Sequence, residues 1–263
     1  MQTIARVRTD FSSKFGVPRQ SGTEGLRGEV VFEPPFRNPD AVRGLEGFSH
    51  IWLLWQFSLA QRAGWSATVR PPRLGGNVRV GVFASRAPYR PNPIGLSSVR
   101  LEGIEMRGEQ GPVLLVSGVD MVDGTPVYDI KPYLRVDAHP DAREGFSGPV
   151  RAHALRVEFP PELLARIPEA LRAGLLEALR QDPRPSYQED PSRLYGVPFA
   201  GQDVRFTVEG DVLTVRDNIV LGTRGGSRKQ VDAKIRELSQ RFALHIDPDR
   251  KIYSLSVGEK QMV

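Results

Sequence analysis

The chain has 263 residues, 40% hydrophobic and 25% charged, with a formal net charge of +5 and a sequence pI near 9.7. That balance suits a globular protein of one large or two small domains, and cations that are mostly arginine permit nucleic-acid binding without demonstrating it. The absence of cysteine excludes disulfides, thiolate catalysis and cysteine-type zinc sites; no apolar run approaches the roughly 18 residues of a membrane helix, and Met1 to Asp10 lacks a signal peptide's apolar centre, so a cytoplasmic protein is expected.

Ile4 to Thr9 alternates apolar and polar residues and reads as a first strand. A loop ending in the stiff tripeptide Pro18-Arg19-Gln20 follows, then a strand from Gly28 to Phe32, stopped by Glu33-Pro34-Pro35. Asn38 to Leu45 predicts a short helix with Asn38 as its cap and Pro39 at its first position. Phe48 to Phe57 is so apolar and aromatic that it predicts a strand buried on both faces.

Val69 to Ser97 then places five arginines (Arg70, Arg73, Arg79, Arg86, Arg90) among five prolines and four glycines, around one apolar strand, Val78 to Ala84. Proline fixes φ and restrains the residue before it, so Arg70-Pro71-Pro72 and Arg90-Pro91-Asn92-Pro93 are stiff, extended pieces. A rigid cationic loop of this kind suits an anionic or nucleotide-like ligand. Ser97 to Met106 and Val113 to Val119 complete a series of short strands with Gly- and Pro-rich connections, which predicts a closed or nearly closed β-barrel. Asp120 to Tyr133 follows, with an Asp123-Gly124 turn at its centre.

Residues 138–151 lack hydrophobic periodicity and read as a linker. Beyond them come a strand from Ala152 to Phe159, an amphipathic helix from Pro161 to Gln181 and strands Asp203 to Glu209 and Val212 to Arg216. The fold class expected is mainly β with α+β. An N-terminal barrel spans 1–137 and a small α+β domain 152–217, leaving 218–263 as an extension with a basic helix at Lys229 to Phe242 and a strand at Lys251 to Val257.

Several chemistries are absent from the sequence. No G-x-G-x-x-G follows a strand, and there is no G-x-x-x-x-G-K-[ST], no G-x-S-x-G and no H-E-x-x-H; the four histidines stand apart, so no metal site is expected. Polar loops around the β-rich part remain: Pro18 to Gln20, Val69 to Ser97, and Asp120 to Tyr133. On a strand, Asp129 and Lys131 face the same side and can pair. His50, Trp52 and Trp55 read as core residues more readily than as catalyst or stacking platform.

Pro18-Arg19-Gln20, L-E-G-F-S-H-I-W (Leu45 to Trp52), Val69 to Ser97, D-M-V-D-G-T-P-V-Y-D-I-K-P-Y (Asp120 to Tyr133) and D-P-R-P-S-Y (Asp182 to Tyr187), in this order, resemble the TsaA-like (TrmO) family. The resemblance covers about Thr3 to Arg216. It implies a homodimeric β-barrel enzyme that uses S-adenosylmethionine to methylate N6 of threonylcarbamoyladenosine beside the tRNA anticodon. It further implies cofactor contacts from Pro18, Arg19, Gln20, Arg86, Leu96, Asp123, Gly124 and Thr125. Ser58 and Leu59 replace a His-Gln pair of the family, so backbone contacts are implied there. Candidates for the substrate side are Arg70, Arg73, Arg79 and Arg90, which can hold anticodon-loop phosphates or a carboxylate, with Asn92, Lys131 and Arg184. For a general base, Asp120, Asp123, Asp129, His50 and Tyr187 are open, with Asp120, Asp129 and Tyr187 placed first. A non-catalytic RNA-binding protein that keeps the barrel, and a methyltransferase for another substrate, stay open as alternatives.

Overall fold

Strict alternation of buried and exposed residues builds the first wall: Ala5 and Val7 of β1 (Ala5–Thr9) are fully buried while Arg6 and Arg8 point out. The computed structural model describes residues 1–60, 64–71, 74, 77–146, 154–185, 188 and 190–220. Arg73, Tyr187 and the extension beyond residue 220, including its expected helix and strand, lie outside the described residues. Six strands close into a barrel: β1, β2 (Arg27–Phe32), β3 (His50–Gln56) and, after the short ribbon β4 (Thr68–Val69) and β5 (Val80–Gly81), β6 (Ile94–Met106), β7 (Pro112–Ser117) and β8 (Thr125–Pro132). Their order is β1-β2-β7-β6-β3-β8, each neighbouring pair antiparallel. Closure leaves no unpaired edge, and the wall needs only one apolar face.

That single apolar face corrects the expectation for Phe48 to Phe57. In β3 only Ile51, Leu53 and Trp55 are buried, alternating with partly exposed Trp52, Leu54 and Gln56. The strand expected at Val78 to Ala84 is also corrected: β5 is two residues long, and Val82–Ala84 is a 3-10 turn. The two-stranded ribbon offers no interior, so of that run only Val82 is buried. Asn38 does cap its turn, accepting from the Asp40 N–H at 3.0 Å, but the helix is a 3-10 turn of four residues, Pro39–Val42, ended by Gly44 at φ +86. β8 was hidden in the sequence by Pro126 and Pro132.

A second sheet, in the order β10-β11-β12-β9, is built from β9 (Arg156–Glu158), β10 (Tyr195–Phe199), β11 (Gln202–Glu209) and β12 (Val212–Val220). The helix expected at Pro161 to Gln181 is two, α1 (Pro161–Leu164) and α2 (Glu169–Arg180), because Pro168 has no N–H to continue the ladder and becomes the cap of α2. Leu175, Ala178 and Leu179 of α2 are buried in the same hydrophobic cluster as the barrel interior.

The 10–26 segment lies between barrel and second sheet. Phe11 forms a bridge with Phe199 and meets its ring edge-on at 5.1 Å, and the Asp10 backbone carbonyl accepts from the Ala200 N–H at 2.9 Å. A Cβ on Gly174 would stand 2.5 Å from the Gly25 carbonyl oxygen, so α2 packs on this segment backbone to backbone. Among the described residues no helix is long and apolar enough to cross a membrane.

Candidate active site

The barrel's registers decide which loops meet. Thr9 pairs with Gly28, Gln56 with Ile94 and Val7 with Thr125, so the ends of β1 and β3 and the beginnings of β2, β6 and β8 share one rim. Three connections leave from that rim: 10–26 after β1, 57–93 after β3 and 118–124 after β7. Every residue that the family resemblance assigns to the cofactor lies on one of these connections or within three residues of a strand start beside it. Hydrogen bonds fasten the connections together: Gly22 N–H to Gly118 O at 2.8 Å, Asp123 N–H to Phe11 O at 2.8 Å, and Lys14 Nζ to the Leu59 carbonyl.

Asp120 sits where they converge. Trp55 Nε1–H donates to Ser97 Oγ at 2.9 Å, and Ser97 O–H donates to Asp120 Oδ1 at 2.6 Å. The serine has one proton, and accepting from the indole aims it at the carboxylate. Burial pushes the Asp120 pKa from 3.8 up to about 6, against the opposing pull of the Ser97 hydroxyl, the backbone N–H of Asp120, the Arg86 charge and the Ser21 N–H. One carboxylate on the third connection is thus bonded by Ser21 of the first and Ser97 of β6 and feels the Arg86 charge of the second, and it changes charge close to neutrality.

Ser97 and Trp55 form a hydrogen-bonded relay to Asp120 that sequence reasoning missed. The available signal was a serine at the inward position between Gly95 and Val99 of β6, a buried hydroxyl that requires a partner. Gly95 makes the relay possible: a Cβ there would lie 2.3 Å from the Trp55 ring. Gly95→Ala should lower unfolding stability by about 1–3 kcal/mol through overpacking, measured by urea denaturation. An unchanged midpoint would show that the indole can move aside.

The remaining candidates are dispersed. Asp129 faces the outer wall of the barrel beside Leu54 and pairs with Lys131 at 2.9 Å, so it does not share the site of Asp120, and Lys131 is committed to that pair. His50 begins β3 at the end away from the rim, where its ring lies 6.2 Å from Tyr133. Asp123 accepts from the Thr9 N–H at 3.1 Å, Gly124 donates to Val7 O at 2.8 Å, and buried Thr125 donates to Val122 O at 2.6 Å, so this turn is stitched to β1.

Pro18 is buried; Gln20, Arg70, Arg86 and Asn92 are exposed, and Ser58 starts a short 3-10 turn. Arg19 donates to the backbone carbonyls of Asp182 and Arg184, at 3.4 and 3.0 Å, tying the rim to the second sheet's connection. Arg184 forks onto Asp182 at 2.8 and 2.9 Å, and Arg90 Nη1 donates to Val82 O and Ser85 O at 3.0 and 2.6 Å. These two arginines, expected on the substrate side, brace their own loops: a carboxylate two residues away and a turn of bare carbonyls are the nearest acceptors. No group of three potential metal ligands occurs among the described residues.

The model of the tRNA-methyltransferase O N-terminal domain matches residues 6–138, and that of the TrmO C-terminal domain matches residues 152–219. The chain belongs to the TrmO family. It is 42% identical over 218 residues to the tRNA (adenine(37)-N6)-methyltransferase of Escherichia coli K12, a match covering 79% of this chain and 92% of the relative. A crystal structure of TrmO from Pseudomonas aeruginosa superimposes with a TM-score of 0.64 at 36% identity, covering 82% of this chain and 96% of that one. A Methanothermobacter thermautotrophicus protein named "Probable S-adenosyl-L-methionine-binding protein" is 39% identical over 133 residues, 51% of this chain and 88% of that one. In TrmO terms, the rim around Asp120 belongs to the N-terminal domain, and the second sheet that braces its first connection belongs to the C-terminal one.

Proposed function

We propose that this protein methylates N6 of the adenine beside the anticodon of a tRNA, at a threonylcarbamoyl-modified base, with S-adenosylmethionine as donor, and that Asp120 is the general base. Membership of the TrmO family supports the reaction class. The observation that carries the site is the convergence of three connections on one partly buried carboxylate with a pKa near 6.

The rim suits such a donor. Leu59 and Leu96 expose apolar side chains there, 52% and 53% accessible, and the Arg86 guanidinium makes no hydrogen bond among the described residues. Apolar surface for a base and a cation for the donor's carboxylate are both present. Pro18, Gln20, Leu59, Arg86, Leu96 and the Asp123–Thr125 turn would hold it, with Arg19 acting by anchoring the loop. When bound, S-adenosylmethionine supplies an electrophilic methyl group on a sulfonium. Displacement at such a carbon depends above all on alignment, which loops stiffened by proline and cross-linked by hydrogen bonds provide.

Methylated N6 must shed a proton, and the Asp120 carboxylate, ionised above about pH 6, accepts it. Ser97 and Trp55 hold that carboxylate in place. Arg70 and the unused donors of Arg79 are suited to phosphates and to the carboxylate of the modified base; a substrate lacking the latter would leave a cation unpaired. The reading extends to a cytoplasmic homodimer with domains at 1–137 and 152–217, joined by 138–151, and an extension at 218–263. Sedimentation checks the dimer, and expression of 1–137 alone checks the first boundary.

Incubation with methyl-labelled S-adenosylmethionine and tRNA, with or without the threonylcarbamoyl group, tests the activity. Label is expected on N6 of the modified adenosine and not on the unmodified one. Label on another nucleoside, or none, would overturn the proposal. Affinity for tRNA should also fall steeply with salt as phosphate contacts release counterions.

A further inference from the structure

We propose that Trp65 and Phe83 form a stacking platform for an unpaired nucleobase flanking the target adenine, a binding site separate from the Asp120 carboxylate. The proposal rests on the tRNA reading above. Both residues lie on the 57–93 connection, at the base of the β4–β5 ribbon: Thr68 pairs with Gly81, and Ala67 O accepts from the Val82 N–H at 3.0 Å. This pairing brings the two rings together, 6.2 Å between centroids and 25° from parallel.

They remain open to solvent. Trp65 is 53% and Phe83 73% accessible, although Val82 between the ribbon and Phe83 is 1% accessible and anchors the turn. Burial therefore does not explain either ring. Arg90 is held by the Val82 and Ser85 carbonyls with its guanidinium 5.8 Å from the Phe83 ring centre, so a fixed cation completes the surface.

Charge selects the occupant. From Gly47 to Leu101 the sequence contains seven arginines and no aspartate or glutamate. An apolar protein partner would not require a 55-residue stretch free of acids, whereas a polyanion is repelled by each one. Aromatic faces within a field of arginines are what single-stranded nucleic acid binds, the backbone on the cations and a base on the ring. The anticodon loop is the unpaired segment that accompanies the target base.

The test uses the full chain and a tRNA anticodon stem–loop, intact or with one loop base removed at each position in turn, followed by fluorescence anisotropy. Trp65→Ala and Phe83→Ala should each weaken binding of the intact loop by about 5- to 150-fold, the range for one lost stacking contact. Trp65→Phe should retain most of the affinity. S-adenosylmethionine affinity by calorimetry and the sedimentation coefficient should stay unchanged. For one abasic loop, wild type and alanine variants should bind alike, because the stacked base is already missing. Unchanged affinity of both alanine variants, with wild type still methylating tRNA, overturns the platform alone. Variants that change oligomeric state overturn it in favour of an interface with a second copy. A wild type that neither binds nor methylates tRNA removes the function on which the platform rests.

Discussion

Replacing Asp120 by asparagine should reduce methyl transfer by about 10²- to 10⁴-fold, the usual contribution of a positioned base, while making the folded protein more resistant to unfolding at neutral pH. Both effects come from the same burial. The carboxyl's folded pKa, about 6, stands above its ordinary 3.8, so the folded state holds the proton more tightly than the unfolded chain. Its favourable contribution is complete below about pH 4 and is lost as pH rises through about 6. Asparagine does not titrate, so the variant gains relative to wild type across that window, on the order of 3 kcal/mol at about pH 8 and nothing near pH 4. Urea melts at several pH values would show it. Equal stability differences at acid and alkaline pH would place Asp120 in an ordinary solvated site. For the wild type, transfer should rise with pH through about 6 and level off. Ser97→Ala removes a hydrogen bond that favours the ionised form, so this limb should move to higher pH. A lower rate without that displacement would mean that Ser97 serves packing alone.

Arg86→Ala should weaken S-adenosylmethionine binding by about 10- to 100-fold, the cost of one charge-assisted contact, without unfolding the protein. The side chain is exposed, so the fold does not depend on it. Its charge also lowers the Asp120 pKa, which links the two residues. The variant should therefore show a second sign: its pH–rate limb displaced to the alkaline side, the same direction as Ser97→Ala. Calorimetry with unchanged affinity would remove Arg86 from the donor site. Weaker affinity with an unmoved limb would separate the donor site from Asp120.

Much of this molecule is legible in one dimension where local rules decide. Alternation at Ile4 to Thr9 and at Asp203 to Glu209 predicts strands, and the structure has β1 and β11 there. Short strands between Gly- and Pro-rich connections predict the barrel, and it closes. Local rules mislead where a proline stands within an element. Pro168 divides an apparently continuous amphipathic helix, and Pro126 conceals β8, because the missing N–H matters only according to the neighbour that would have received it.

By itself, the sequence determined a β-rich domain with polar loops between its strands, and which family the chain resembles. Arg90 and Arg184 looked available for a ligand because composition shows charge and not its nearest acceptor; folding supplies carbonyls for one and Asp182 for the other. Asp120 and Asp129 looked equivalent, nine positions apart on one acidic segment. Only the register of β8 against β3 turned Asp129 to the outer wall, and only closure of the barrel brought Trp55, Ser97, Ser21 and Arg86 around Asp120. A carboxylate's pKa depends on the solvent excluded and the dipoles aimed at it by residues distant in the chain, and that arrangement exists only once the barrel has closed.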